Sequence, residues 1–179
     1  MKLDNIILIG FMGSGKSSIG KRLAKELKYD YLDSDELVTQ KSNMSVTEIF
    51  ETQGENAFRE LESEALENLL GKEKVVLATG GGAILRSKNQ ETLRSLGTIV
   101  WLHASTDVLF ERARRNPYRP LLEVEHPRHT FNQLLASRLP FYEAASDCQV
   151  DTTHLFYHQT IGAIRIAISD YLAYRPNSH

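Results

Sequence analysis

Ile6-Ile7-Leu8-Ile9-Gly10-Phe11-Met12-Gly13-Ser14-Gly15-Lys16-Ser17 is the stretch whose reading decides the fold. Four apolar residues that stop at a glycine read as a short strand buried on both faces, the pattern of a parallel sheet. The next segment, Ser17 to Tyr29, carries Ile19, Leu23, Ala24 and Leu27 at helical spacing. Between them, Gly10 to Ser17 matches G-x-x-x-x-G-K-[ST]. Glycines let the backbone curl so that its N–H groups face phosphate oxygens, and the following helix adds its positive dipole end. Strand, loop and helix are the context this motif requires. The backbone of Gly13, Ser14, Gly15, Lys16, Ser17 and Ser18 is expected to wrap a nucleoside triphosphate. Lys16 reaches the β- and γ-phosphates, and Ser17 offers its hydroxyl to Mg²⁺.

Outward from this loop, strands and helices alternate. Tyr29 to Leu32, Lys74 to Ala78, Thr98 to Leu102 and Cys148 to Asp151 read as further strands. Val46 to Phe50, Asn56 to Leu70, Asn89 to Ser95, Thr106 to Arg115, Phe131 to Ala145 and His158 to Ala173 read as helices. This alternation predicts an α/β fold with helices on both faces of a parallel sheet. Ligands of such sheets bind at the carboxyl ends of the strands. With 179 residues, 41% of them hydrophobic, the chain is expected to form one domain over 1–179. A formal net charge of −2 argues against a general nucleic-acid binder. A single cysteine excludes an intrachain disulfide. No leader or membrane span is read at the amino terminus, so a cytoplasmic protein is expected.

Several clusters lie at predicted strand ends. Asp33-Ser34-Asp35 follows the second strand. In extended backbone, residues two apart face the same way, so both carboxylates face the site and Ser34 faces away. One carboxylate can serve Mg²⁺ and the other can orient an attacking hydroxyl. An N-cap cluster for a helix starting near Glu36 is the alternative. Arg59 and Glu62 are three apart on one helix and can pair, which suits bidentate binding of an anionic acceptor. A solvated surface pair fits that spacing equally well. Thr79-Gly80-Gly81-Gly82 ends the third strand and permits close approach to a ligand. The segment RARRNPYRPLLEVEHP, starting at Arg112, has the composition of a lid over about 112–128. Arg119, before Pro120, is its expected phosphate-facing arginine. Arg138 stands alone on a helix, which by itself reads as surface. His126 and His129 lack further metal-ligand types nearby and read as surface. Cys148 reads as an inert thiol and Trp101 as packing.

Taken in order, GFMGSGKSSIGKRLA, YLDSDELV, ENAFRELE, LATGGGAI, YRPLL and SRLPFYEAA resemble the shikimate kinase family of the bacterial P-loop type, from Ile6 to about Thr152. The resemblance implies a three-layer P-loop NTPase fold with strand order 2-3-1-4-5, substrate-binding helices and a lid. It implies a substrate-binding region over about 33–62. It also implies ATP-dependent phosphorylation of the shikimate 3-hydroxyl in aromatic amino-acid synthesis. By that resemblance Asp33 serves Mg²⁺ and Asp35 contacts the accepting hydroxyl as base. Arg59, supported by Glu62, and Arg138 bind the acceptor carboxylate, and backbone groups of Gly80, Gly81 and Gly82 line the acceptor. Lys16 and Arg119 meet the phosphates, and Arg112 stacks on adenine. A monomer is expected, with no nucleic-acid or membrane partner. One departure stands out: Val150-Asp-Thr-Thr-His-Leu-Phe156 replaces the family's Arg/Asn-rich adenine loop. Rival readings are another small-metabolite kinase such as a gluconate kinase, a GTPase-like switch, and a catalytically silent binding module. The switch reading needs N-K-x-D, which is absent from the sequence.

Overall fold

The computed structural model describes residues 5–115 and 124–174. Five strands form one parallel sheet in the order β2-β3-β1-β4-β5. They are β1 (Asn5–Ile9), β2 (Asp30–Asp33), β3 (Val75–Ala78), β4 (Gly97–His103) and β5 (Cys148–Asp151). Pairing runs Ile7 to Leu77 on one side of β1 and Ile7 to Ile99 on the other. The order implied by the family resemblance is the order observed.

β1 lies at the centre because every one of its side chains has a place to be buried. Ile7 and Ile9 enter one core with Leu66, Leu93 and Phe131. Ile6 and Leu8 enter the opposite core with Leu23, Ile161 and Ile164. An unbroken apolar run with period 2 therefore serves two faces at once. The first core is covered by α3 (Val46–Glu67), α4 (Ser87–Leu96), α5 (Thr106–Arg114) and α6 (Pro127–Ala145). The second is covered by α1 (Lys16–Leu27) and α7 (Tyr157–Tyr174). Three layers result. A smaller cluster of Val38, Ile49, Phe58 and Ala65 fastens α2 (Ser34–Ser42) to α3.

Two local expectations change. The helices read at Val46 to Phe50 and Asn56 to Leu70 are the two arms of α3, which meet at Gly54, where φ is 81° and ψ is 171° and the backbone is not helical. Glycine takes that conformation without steric cost, so the two arms follow each other directly. Ser45 and Glu48 form a capping box at its start. The other change concerns Asp33-Ser34-Asp35. Strand β2 stops at Asp33 and α2 begins at Ser34, so Asp35 lies in the first turn of a helix and not in extended backbone. Among the described residues, no helix is long and apolar enough to cross a membrane.

Candidate active site

The phosphate loop joins β1 to α1. Gly15 precedes the helix with φ 89°, a left-handed conformation that only glycine adopts readily, and no side chain caps the helix start. The first N–H groups of α1 therefore remain available to an anion. Lys16 is folded back over the loop. Its Nζ donates to the Gly10 carbonyl at 2.7 Å, to the Phe11 carbonyl at 3.1 Å and to Ser14 Oγ at 3.4 Å. Ser14 is buried, whereas Ser17 and Ser18 are exposed on the first turn of the helix.

Asp33 is brought to the loop by β2. Its Oδ2 accepts from Ser17 Oγ at 3.0 Å and from the Tyr31 hydroxyl at 2.9 Å. Its Oδ1 accepts from the Asp35 backbone N–H at 3.1 Å. The capping alternative is thus met by Asp33 Oδ1, while Oδ2 of the same carboxylate faces Ser17. Burial and the adjacent Asp33 charge hold the Tyr31 phenol far above its usual range, so it stays a donor.

Ser34 does not face away. It is fully buried, and its Oγ accepts from the Gly80 N–H at 2.7 Å, clamping the start of α2 to the end of β3. The helical turn then points Asp35 at the same glycine. A Cβ added to Gly80 would lie 2.5 Å from Asp35 Oδ1 and 3.0 Å from Glu62 Oε1. Here the glycines are required by close approach. A Cβ on Gly82 would lie 2.4 Å from Arg59 Nη2. At Gly81 the nearest groups are Arg138 Nη1, the Gly10 carbonyl and the Tyr142 hydroxyl, each 3.6 Å from such a Cβ. The turn after β3 is thus the floor on which two acids and two arginines meet.

Burial removes the solvated-surface reading of the Arg59–Glu62 pair. Its Nη1 donates to Glu62 Oε2 at 2.8 Å, and the Glu62 side chain is completely inaccessible. Glu55 accepts from Nε at 3.3 Å and Nη2 at 3.1 Å. This is a fixed guanidinium and not a solvated surface pair. Burial pulls the Arg59 pKa down, and Glu62 and Glu55 more than reverse that pull. Burial pushes Glu62 up to about 7 against the opposing Arg59 charge, with Asp35 adding to the rise. Glu62 Oε1 accepts no hydrogen bond among the described residues.

Arg138 is half-buried, its guanidinium 5.6 Å from the Phe11 ring centroid. It is not the surface residue that its isolation in sequence suggested. Arg112 donates from Nη1 to Thr152 Oγ1 at 3.0 Å and from Nη2 to the Thr152 carbonyl at 2.9 Å. It is therefore anchored to the 150–156 segment that departs from the family pattern. Arg119, with residues 116–123 of the expected lid, lies outside the described residues. Cys148 is pushed up to about 11 by burial and by Asp147, which disfavours the reactive thiolate.

Tyr31, Ser34, Glu55 and Tyr142 were missed. Glu55 and Tyr142 each stand four residues from an arginine on one helix, a spacing that could have drawn attention to them. Tyr31 stands two residues from Asp33 on β2, a spacing that places both on one face. Ser34 carries no such signal, because its partner Gly80 comes from another element.

A family model described as shikimate kinase matches residues 12–166. A shikimate kinase of Thermodesulfovibrio yellowstonii is 44% identical over 153 residues, spanning 86% of this chain and 88% of that one. Among solved structures, shikimate kinase from Acinetobacter baumannii in complex with shikimate superposes with a TM-score of 0.88. It is 36% identical, and the match covers 94% of each chain. A gluconokinase from Sinorhizobium meliloti reaches a TM-score of 0.60 at 21% identity over 96% of this chain and 98% of that one, which shows a shared fold alone.

Proposed function

The chain belongs to the shikimate kinase family, and on that premise we propose that it transfers the γ-phosphoryl group of ATP to the 3-hydroxyl of shikimate. The products are shikimate 3-phosphate and ADP, within chorismate and aromatic amino-acid synthesis. The observation that carries this reading is the convergence of Asp35, Arg59 and Arg138 on the Gly80–Gly82 turn, with Arg59 pinned by the buried Glu62. A planar carboxylate on the acceptor suits a preoriented guanidinium fork. A neutral sugar would leave that charge unanswered.

In this assignment Arg59 and Arg138 hold the acceptor carboxylate, and backbone groups of Gly80, Gly81 and Gly82 line its ring. Asp35 accepts the hydrogen bond of the 3-hydroxyl and takes its proton as the oxygen attacks phosphorus. Lys16 leaves the loop carbonyls for the phosphate oxygens, where its charge is worth more. The loop from Gly13 to Ser18 wraps the phosphates. Arg119 meets the transferring group from a lid over 112–128. Arg112 offers its plane to the adenine, held in place by Thr152. Positioning and electrostatics carry the rate of such a transfer.

The family implies Mg²⁺. Ser17 Oγ and Asp33 Oδ2, 3.0 Å apart at the edge of the loop, fit it as hard oxygen donors. When bound there, the ion neutralises charge on the phosphates. One domain over 1–179, with its substrate-binding region at 33–62, acting as a cytoplasmic monomer on small molecules, completes the reading.

The test is an ADP-release assay with shikimate and gluconate side by side, repeated with Asp35→Ala. Turnover with shikimate and none with gluconate supports the acceptor assignment; the reverse overturns it. Asp35→Ala is expected to keep nucleotide affinity and lose turnover by roughly 100-fold or more. A near wild-type rate would remove Asp35 from its role.

A further inference from the structure

Tyr142 sits at the centre of the acceptor side. It lies on α6 one turn beyond Arg138 and is 1% exposed. Its hydroxyl donates to the Gly81 carbonyl at 2.6 Å. Arg138 Nη1 and the Tyr142 hydroxyl each lie 3.6 Å from where a Cβ on Gly81 would stand, and the charges of Arg138 and Arg59 bear on the hydroxyl. Its ring lies nearly parallel to that of Trp101 on β4, with centroids 6.0 Å apart and planes 17° from parallel. Trp101 is itself buried and is the chain's only tryptophan. One phenol thus spans three elements: the sheet through Trp101, the glycine turn through Gly81, and α6 on which Arg138 is carried.

We propose that Tyr142 is a positioning residue for the acceptor, its hydroxyl locking the Gly81 peptide and the Arg138 guanidinium into one rigid unit. The inference rests on the reading of Arg138 as an acceptor ligand. The argument is one of freedom removed. An arginine has several rotatable bonds, and ordering it on binding costs entropy unless it is already ordered. Glu62 and Glu55 do this for Arg59. Among the described residues, Arg138 has no carboxylate within ion-pairing distance, and only the Phe11 ring and the Tyr142 hydroxyl flank its guanidinium. A neutral oxygen suits this place. It orients the guanidinium without spending the charge that the acceptor carboxylate needs. The same hydroxyl fixes which way the Gly81 peptide points, and with it the flanking N–H groups of the turn. Burial keeps the phenol far above its usual range, so it remains protonated and able to donate to the carbonyl.

The test compares the full-length chain with Tyr142→Phe and Arg138→Ala. Phenylalanine keeps the ring, the Trp101 stack and the packing volume, so the variant is expected to fold. Shikimate binding is followed directly through Trp101 fluorescence, beside KM and kcat. Tyr142→Phe should weaken shikimate affinity and raise its KM roughly tenfold, the scale of one hydrogen bond to a charged group. Its kcat and nucleotide KM should stay within about twofold, since no reacting atom is touched. Arg138→Ala should weaken binding further, and the loss in the double variant should be clearly smaller than the sum of the two single losses. If Tyr142→Phe lowers the melting temperature but leaves shikimate affinity unchanged, the residue is structural and the proposal is overturned. Additive losses in the double variant would also overturn it. If Arg138→Ala leaves shikimate affinity intact, the acceptor reading of Arg138 fails instead, independently of Tyr142.

Discussion

The two halves of the site are built in opposite ways. The phosphate half is local: Gly10 to Ser17 is one loop, and Lys16 is held by carbonyls and a hydroxyl within six residues of itself. The acceptor half is assembled from Asp35 on α2, Arg59 and Glu62 on α3, the turn after β3, and Arg138 and Tyr142 on α6. Local construction rests on backbone conformation and one helix start. Distant construction rests on burial, because charged groups from separate elements stay aligned only if the core fixes each element. A methyl group added to Gly10 or Gly13 would press on the backbone carbonyls of Leu102 or Leu109, whereas one added to Gly80 or Gly82 would press on the side chains of Asp35 or Arg59, so a loss at Lys16 can leave the second half undisturbed.

The largest effect should come from Lys16→Met. Turnover is expected to fall by roughly 100-fold or more, the scale of losing one placed charge at the transferring group. Shikimate affinity, read by Trp101 fluorescence, should barely change. A parallel loss of acceptor affinity would show that the halves are not separable.

The contrast sharpens within the glycine turn. Gly82 has φ −104°, which alanine adopts freely, so Gly82→Ala should fold normally. Its methyl group would press on Arg59 Nη2 and Cζ at 2.4 and 2.8 Å. Arg59 can move only by breaking its pairs with Glu62 and Glu55, so shikimate KM should rise about tenfold with the melting temperature little changed. Gly81→Ala meets only ordinary contacts at 3.6 Å and should stay within about threefold. Equal effects at both positions would sink the explanation of the triple glycine.

The smallest effect is a pH dependence of stability. Glu62 is raised from its ordinary 4.5 to about 7 by burial, so the folded state holds this proton more tightly than the unfolded chain. The stability it contributes is fully present below about 4.5 and is lost as pH rises to about 7. Glu62→Gln cannot ionise and should flatten the melting-temperature profile across that window. An unchanged slope would mean that the carboxyl does not titrate there. The phosphate half offers no buried carboxyl of this kind among the described residues.

Legibility in sequence followed the same division. The loop and the elements around it were readable because apolar periodicity and glycine spacing are local signals; the strand order came only from the resemblance to the family. Asp33-Ser34-Asp35 is not the extended segment that its position after a strand suggested. The extended-strand argument fails at Ser34, and Asp35 reaches the turn because α2 begins there and Ser34 is clamped to Gly80. Arg138 read as surface by itself, because nothing in its neighbourhood of sequence reports Phe11 or Gly81. Tyr142 has no role legible in SRLPFYEAA, since its partners Trp101 and Gly81 are 41 and 61 residues away.

The sequence by itself determined the parallel α/β architecture, the phosphate loop and the family. Each rests on short-range patterns: a buried strand, glycines where the chain must curl, and ordered motif blocks. Tertiary structure alone decided that Glu62 is fully buried, that three successive glycines each face a different charged or phenolic partner, and that Tyr142 joins α6 to the glycine turn and the sheet. Burial and convergence depend on which distant residues share a core, and no local spacing encodes that.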